Sequence, residues 1–288
     1  MMLKTWRMLR DELTFLLEKF YPITEASALS RNAIEEILCK QGIDLLRILN
    51  EFPNDKQFER FKTISSELID LKPLQYITGW ANFHDLRLKV TSDVLIPRQE
   101  TEELIRIVLD EIGNKTKLEI ADIGTGSGAI IISIAVNSAA GNHTFLATDI
   151  SDKALEIAAN NADRYNQCIC MFQHDILSET KLPFQKKVDI LISNPPYVLQ
   201  SEKTSMLPNV LDYEPELALF VSDNDPLIYY KHLAKHACYI LCDDGIVCVE
   251  INERFGEAVQ AIFEGVGLQA SVIKDINNKE RFVVAKKY

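Results

Sequence analysis

The stretch Leu118-Glu119-Ile120-Ala121-Asp122-Ile123-Gly124-Thr125-Gly126-Ser127-Gly128-Ala129 decides how this chain folds. The run Leu118–Asp122 predicts a buried strand, three alternating glycines predict a tight turn, and the apolar segment Ala129–Ser138 predicts a helix that starts immediately after it. Outward from this unit the same alternation continues. Further strands are predicted at Thr144–Thr148, Cys168–Gln173, Val188–Ser193, Gly245–Glu250, Gln269–Lys274 and Phe282–Lys286. Helices are predicted at Thr101–Ile112, Asp152–Tyr165, Pro226–Leu241 and Arg254–Val266. Strands separated by helices imply an α/β fold with a mostly parallel sheet covered on both faces.

Upstream the texture differs. Trp6, Leu9, Leu13, Leu16 and Phe20 recur at three- and four-residue steps, as do Phe58, Phe61, Ile64, Leu68 and Leu71. Both are amphipathic helical stripes, with shorter helical stretches near Glu25–Cys39 and Asp44–Glu51 between them. Residues 1–72 therefore read as a small helical bundle. Over residues 73–97, alternation from Phe83 to Val90 after the turn-prone Gly79 predicts a β-hairpin linker, which leaves 98–288 as the α/β domain.

A glycine-rich turn between strand and helix lets a ligand approach the backbone closely, so Gly124, Thr125, Gly126, Ser127 and Gly128 are candidate binding residues. The turn by itself fits dinucleotides and S-adenosylmethionine equally. Asp149 closes the second strand 25 residues beyond Gly124, where a carboxylate accepts two hydrogen bonds from a ribose diol. It also precedes a helix, where an acid suits the first turn. At the end of the third strand, Asp175 and Ile176 are placed to meet an adenine, the acid at the exocyclic amine and the isoleucine on the ring face.

Asn194-Pro195-Pro196-Tyr197 follows the fourth strand and opens onto the same crevice, outside the carboxyl ends of the strands. Two prolines remove two backbone donors and fix two φ angles. The Asn194 side-chain oxygen and the Pro195 carbonyl are left as two rigid acceptors for one NH₂ group. A planar amide or exocyclic amine is a poor nucleophile because its lone pair is delocalised. Two acceptors out of its plane favour the pyramidal nitrogen of an alkylation transition state. Tyr197 supplies an aromatic face for a planar substrate and a sulfonium cation.

Together with Gln75-Tyr76-Ile77-x-Gly79, Leu95-Ile96-Pro97-Arg98-Gln99-Glu100-Thr101-Glu102 and Tyr213-Glu214-Pro215-x-x-Ala218-Leu219, these elements resemble the HemK-type protein-(glutamine-N5) methyltransferases of peptide chain release factors. The resemblance covers nearly the whole chain. It implies a class I S-adenosylmethionine-dependent methyltransferase domain, a Rossmann-like sheet of seven strands ending in an antiparallel pair. An N-terminal helical domain that docks the release factor and a hairpin linker complete the expected chain. S-adenosyl-L-methionine is then the donor and S-adenosyl-L-homocysteine the product, and the substrate is the glutamine of a Gly-Gly-Gln tripeptide. Gly124–Gly128, Asp149 and Ile176 match donor-side positions and Asn194–Tyr197 the glutamine-binding signature. Arg98, Glu100 and Thr101 are expected at the substrate entrance. Gln99 replaces a proline common in the family, and Glu250–Arg254 lacks the Gly and Gln that often follow the Glu-Ile pair, so the resemblance carries no pocket-closing role over to that stretch.

Composition removes other classes. In 288 residues, 31 basic against 42 acidic side chains give −11, which disfavours a lasting grip on nucleic-acid phosphates. Adenine-N6 methylation of nucleic acid remains the alternative use of Asn194–Tyr197, but the segment after Tyr197 is used up by predicted strands and helices. A dehydrogenase would leave the tetrapeptide idle. Six cysteines without a CxxC pair, no signal-peptide core in Met1–Arg10 and no long apolar run suggest a cytoplasmic protein without membrane contact. No metal is expected. His232, His236, Cys238 and Cys242 have helical spacing, but Cys238 falls about 200° from His236, which predicts buried thiols and solvated histidines. Cys168 and Cys170 are expected to pack inside.

Overall fold

The computed structural model describes residues 4–40, 42–138 and 141–288, so the first three residues of the Met1–Arg10 stretch lie outside it. The chain divides into two compact units, Met1–Gly79 with Leu207–Tyr213, and Trp80–Met206 with Glu214–Tyr288.

In the first unit the helices Trp6–Leu17, Ile23–Leu38, Gly42–Ile48 and Asp55–Ile69 enclose an apolar core. Thr5 caps the first of them and an Asn54–Gln57 capping box opens the last, satisfying amides that have no partner within the helix. The buried stripe of the first helix is Trp6, Leu9, Leu13 and Leu17. Leu16 sits at the margin and Phe20, beyond the helix end, is exposed, because the periodicity is 3.6 only while the helix lasts. The short helix Leu74–Thr78 ends on Gly79, whose φ of +82° makes it a helix cap rather than a hairpin turn.

The second unit opens with the hairpin β1 (Trp80–Phe83) and β2 (Leu86–Lys89). Its turn is His84-Asp85, both with positive φ, as a tight hairpin of matching twist requires. The main sheet contains β3 (Glu119–Ile123), β4 (Thr144–Asp149), β5 (Ile169–Gln173) and β6 (Val188–Ser193). After a two-residue parallel pair, β7 (Val198–Leu199) with β8 (Phe220–Val221), come β9 (Leu241–Glu250), β10 (Gln269–Lys274) and β11 (Glu280–Lys286). The spatial order is β10-β11-β9-β6-β3-β4-β5, with β11 antiparallel to both neighbours and the rest parallel.

Side chains alternate between the two faces. Ile120, Ile190 and Ile192 join a core under the helices Glu102–Ile112 and Ala129–Asn137, while Ala121, Leu191 and Val247 join one under Ile228–Ile240 and Gly256–Gly265. The helix Ala129–Asn137 is buried nearly all round, which explains its lack of a polar face.

Three burial expectations are corrected. Cys168 and Cys170 are exposed, because β5 is the sheet's edge and its inward positions go to Ile169 and Met171. Cys238 is exposed and His236 buried, the reverse of the rotational reading. His236 is covered by a residue distant in sequence, His174 at the end of β5, whose ring meets it edge-on at 6.1 Å. Among the described residues no helix is long and apolar enough to cross a membrane.

Candidate active site

The carboxyl ends of β3, β4, β5 and β6 open into a cavity of about 550 Å³, in the size range of small-molecule sites. It is lined by Gly124, Thr125, Gly126, Ser127, Asp149 and, from later in the chain, Asp175, Ile176, Asn194, Pro195 and Pro196. Arg98 and Thr101 also reach it. The structure thus brings most of the sequence-predicted residues into one crevice. Glu100 is exposed, and Gly128 and Tyr197 lie outside the lining.

The three glycines serve different ends. Gly124 and Gly126 have φ of +75° and +55°, and a Cβ at either would meet nothing within 4 Å. Their bare backbone faces open space that a ligand fits. At Gly128 a Cβ would come 2.7 Å from Ile132 Cδ1 and 3.2 Å from Ala158 Cβ, so this glycine serves helix packing.

Asp149 holds the loop from below. Its Oδ2 accepts from the Gly126 amide at 2.8 Å and its Oδ1 from Ser151 N at 2.9 Å. The bond to Ser151 N places it at the helix start, and the carboxylate also lines the cavity. Burial raises its pKa, opposed by these amides. Asp122, fully buried at the end of β3, accepts Thr125 Oγ1 at 2.7 Å, and its other oxygen has no partner. Burial pushes this carboxyl up to about 7. Asp175 spends one oxygen on Leu177 N, and the buried His174 Nε2 beside it is unpartnered.

Among the described residues Arg98 is the one Lys or Arg in the lining, and it is tied to the buried Glu214 at 2.6 Å. Asp93 is matched by Lys153, while Asp149 and Asp175 have no basic partner among the described residues. Acids outnumber bases in this lining among the described residues, which suits a ligand that carries a positive charge.

Behind Asn194 lies a polar chain. Asn194 Nδ2 donates to Thr101 Oγ1 at 3.3 Å, and that hydroxyl donates to Glu250 Oε2 at 2.7 Å. Tyr197 Oη donates to Glu250 Oε1 at 2.9 Å, Tyr230 Oη to the Glu250 carbonyl at 3.1 Å, and Asn252 Nδ2 to the Tyr197 carbonyl at 3.3 Å. Thr101 is 4% exposed and Glu250 1%. Tyr197 is raised first by burial and then by the Glu250 charge, and Glu250 is raised by burial. Tyr197 therefore turns its hydroxyl inward rather than its ring to the cavity. The sequence reading missed Glu250 and placed Thr101 at the entrance. The pairing of Ser193 with Val249 in adjacent parallel strands carries the signal, since it sets Asn194 beside Glu250.

A seven-stranded sheet of this order, with a glycine-rich loop after β3 and the tetrapeptide after its neighbour β6, defines a class I S-adenosylmethionine-dependent methyltransferase fold. The Methyltransferase small domain model matches residues 99–212. The hMettl16 catalytic domain, solved with an RNA hairpin, superposes with TM-score 0.56 at 15% identity, covering 86% of each chain. The release factor glutamine methyltransferase of Lactococcus lactis is 42% identical over 84% of this chain and 87% of its own. That of Bacteroides thetaiotaomicron is 36% identical over 94% and 96%. The chain belongs to the release factor glutamine methyltransferase family.

Proposed function

We propose that this protein transfers a methyl group from S-adenosylmethionine to the side-chain nitrogen of the glutamine in the Gly-Gly-Gln tripeptide of a peptide chain release factor, leaving S-adenosylhomocysteine and one amide proton that passes to solvent. The observation that carries this reading is that the Asn194 amide has its nitrogen committed to Thr101, which leaves its oxygen to accept from a substrate NH₂ in the cavity. The donor supplies an electrophilic methyl carbon beside a cationic sulfur.

Gly124 and Gly126 offer open backbone, Asp149 a carboxylate for hydroxyls, and Ile176 an apolar wall. Asn194 and the Pro195 carbonyl orient the amide and stabilise its nitrogen as it pyramidalises. The amide needs no base before attack, because its nitrogen becomes acidic only as the new bond forms. Release factors belong to the translation apparatus, and a cytoplasmic reaction follows from that substrate.

For the helical unit we propose a docking role. Phe15 and Ile23 are largely exposed there, and their replacement by Ser should raise KM for intact release factor while leaving KM for a short Gly-Gly-Gln peptide unchanged. A parallel rise for both would contradict docking. The central test uses labelled methyl donor with release factor, with a factor whose tripeptide Gln is Ala, and with DNA. Label should enter only the first. Label in DNA and none in the factor would overturn the assignment in favour of adenine methylation.

A further inference from the structure

Asn194 can present either end of its amide to the cavity, and only the oxygen suits a substrate NH₂ group. The two ends are nearly the same shape, so sterics do not choose between them; hydrogen-bond polarity does. An ionised carboxylate only accepts. Burial opposes the charge on Glu250 while the two hydroxyls and the Arg281 charge favour it, and as a carboxylate it obliges both hydroxyls, Thr101 Oγ1 and Tyr197 Oη, to spend their single protons inward. Thr101 Oγ1 is left with lone pairs alone, and its neighbour in the Asn194 amide must be the donating nitrogen.

We propose that Glu250 is a positioning residue for methyl transfer: it sets the direction of the Asn194–Thr101–Glu250 hydrogen-bond chain and thereby aims the Asn194 oxygen at the substrate amide. The proposal rests on the reading that Asn194 receives the glutamine. Glu250 lies outside the cavity lining, and Tyr197 is held by the same carboxylate, so one buried acid orders both ends of the tetrapeptide. Glu100 and Arg281 are the charges that face it. Arg281 is paired with Asp275 at 3.3 Å, which keeps its guanidinium in place.

Two substitutions test the chain in the full-length enzyme. Thr101→Val keeps the volume and removes the acceptor, so the Asn194 nitrogen faces a methyl group and the amide turns over. We expect kcat to fall ten- to a hundredfold, as the loss of one acceptor aimed at the reacting nitrogen predicts, with KM for release factor within about threefold. Thr101→Ser, which restores a hydroxyl, should keep kcat within about threefold of wild type. Glu250→Gln gives the chain an end that both donates and accepts, and should lower kcat about tenfold with donor affinity unchanged by calorimetry. Melting temperatures separate loss of fold from loss of orientation.

Wild-type turnover on release factor with undiminished kcat in Thr101→Val would overturn this inference alone. Equal losses in Thr101→Val and Thr101→Ser would also overturn it, because packing rather than polarity would then be at stake. A wild-type enzyme that fails to label the factor would remove the functional reading itself.

Discussion

Asp122 offers a prediction whose size follows from its surroundings. It sits fully buried under the glycine loop, with one oxygen on Thr125 Oγ1 and the other unpartnered. Burial raises its pKa from 3.8 to about 7, the nearby Asp149 charge adds to the rise, and the Thr125 hydroxyl and the Ile131 amide oppose it. A carboxyl that binds its proton more tightly folded than unfolded stabilises the fold fully below the unfolded pKa. That stability is lost as pH rises, until the folded carboxyl is itself ionised. The full span is worth about 4 kcal/mol at 1.36 kcal/mol per unit.

Asp122→Asn keeps the shape and removes the titration. From pH 5 to pH 8, wild type should lose about 2.5 kcal/mol relative to the variant, most of it before pH 7. Urea unfolding of both proteins at half-unit pH steps measures the difference, and groups that titrate alike in both cancel. A difference flat to within about 0.5 kcal/mol across that window, or one that grows in favour of wild type with pH, would refute the reasoning.

Asn194→Ala should lower kcat about a hundred- to a thousandfold while donor affinity stays within twofold, since it serves the reacting nitrogen; steady-state kinetics and calorimetry separate the two, and equal losses would mean the residue is misassigned. Asp149→Ala should do the reverse, raising the donor dissociation constant at least about tenfold, because it removes a ligand-side carboxylate and frees the Gly126 and Ser151 amides together; an unchanged constant in equilibrium dialysis would contradict its role. Glu214→Ala strands Arg98 and the Ile96 amide, which Glu214 holds at 2.6 and 3.3 Å. It should cost about 2 kcal/mol of stability in urea unfolding and raise KM for release factor, with donor binding unaffected.

The parallel strand β6 was readable because burial on both faces demands a continuous apolar run, and the antiparallel edge strand β10 also falls where the sequence places it. Ends were less legible. β9 begins at Leu241, four residues before the predicted start, because its early portion is fixed by pairing with Val188 rather than by its own Cys242-Asp243-Asp244. Gly79 has the same signature as helix cap and as hairpin turn, and the choice depends on whether Leu74–Thr78 coils, which Pro73 before it permits. The burial of His236 and the exposure of Cys170 depend on what covers a helix flank or a sheet edge, a fact that no local periodicity contains.

The site divides along the same physical line. Gly124, Asp149 and Asn194 announce themselves because each stands at a strand's carboxyl end, directly after or closing an apolar run. Glu250 works through residues 149 and 53 positions away, Thr101 and Tyr197, and gains its meaning only when β9 lies beside β6. Within its own segment it is an acid at the end of a strand, as common as any loop cap. What marks it out is energetic: a carboxylate 1% exposed is costly unless its oxygens are satisfied, and here both are satisfied by hydroxyls that lead to the tetrapeptide. A hydrophobic residue would pack there at less cost. Its presence therefore requires a benefit other than stability, and the direction it imposes on the Asn194 amide supplies one.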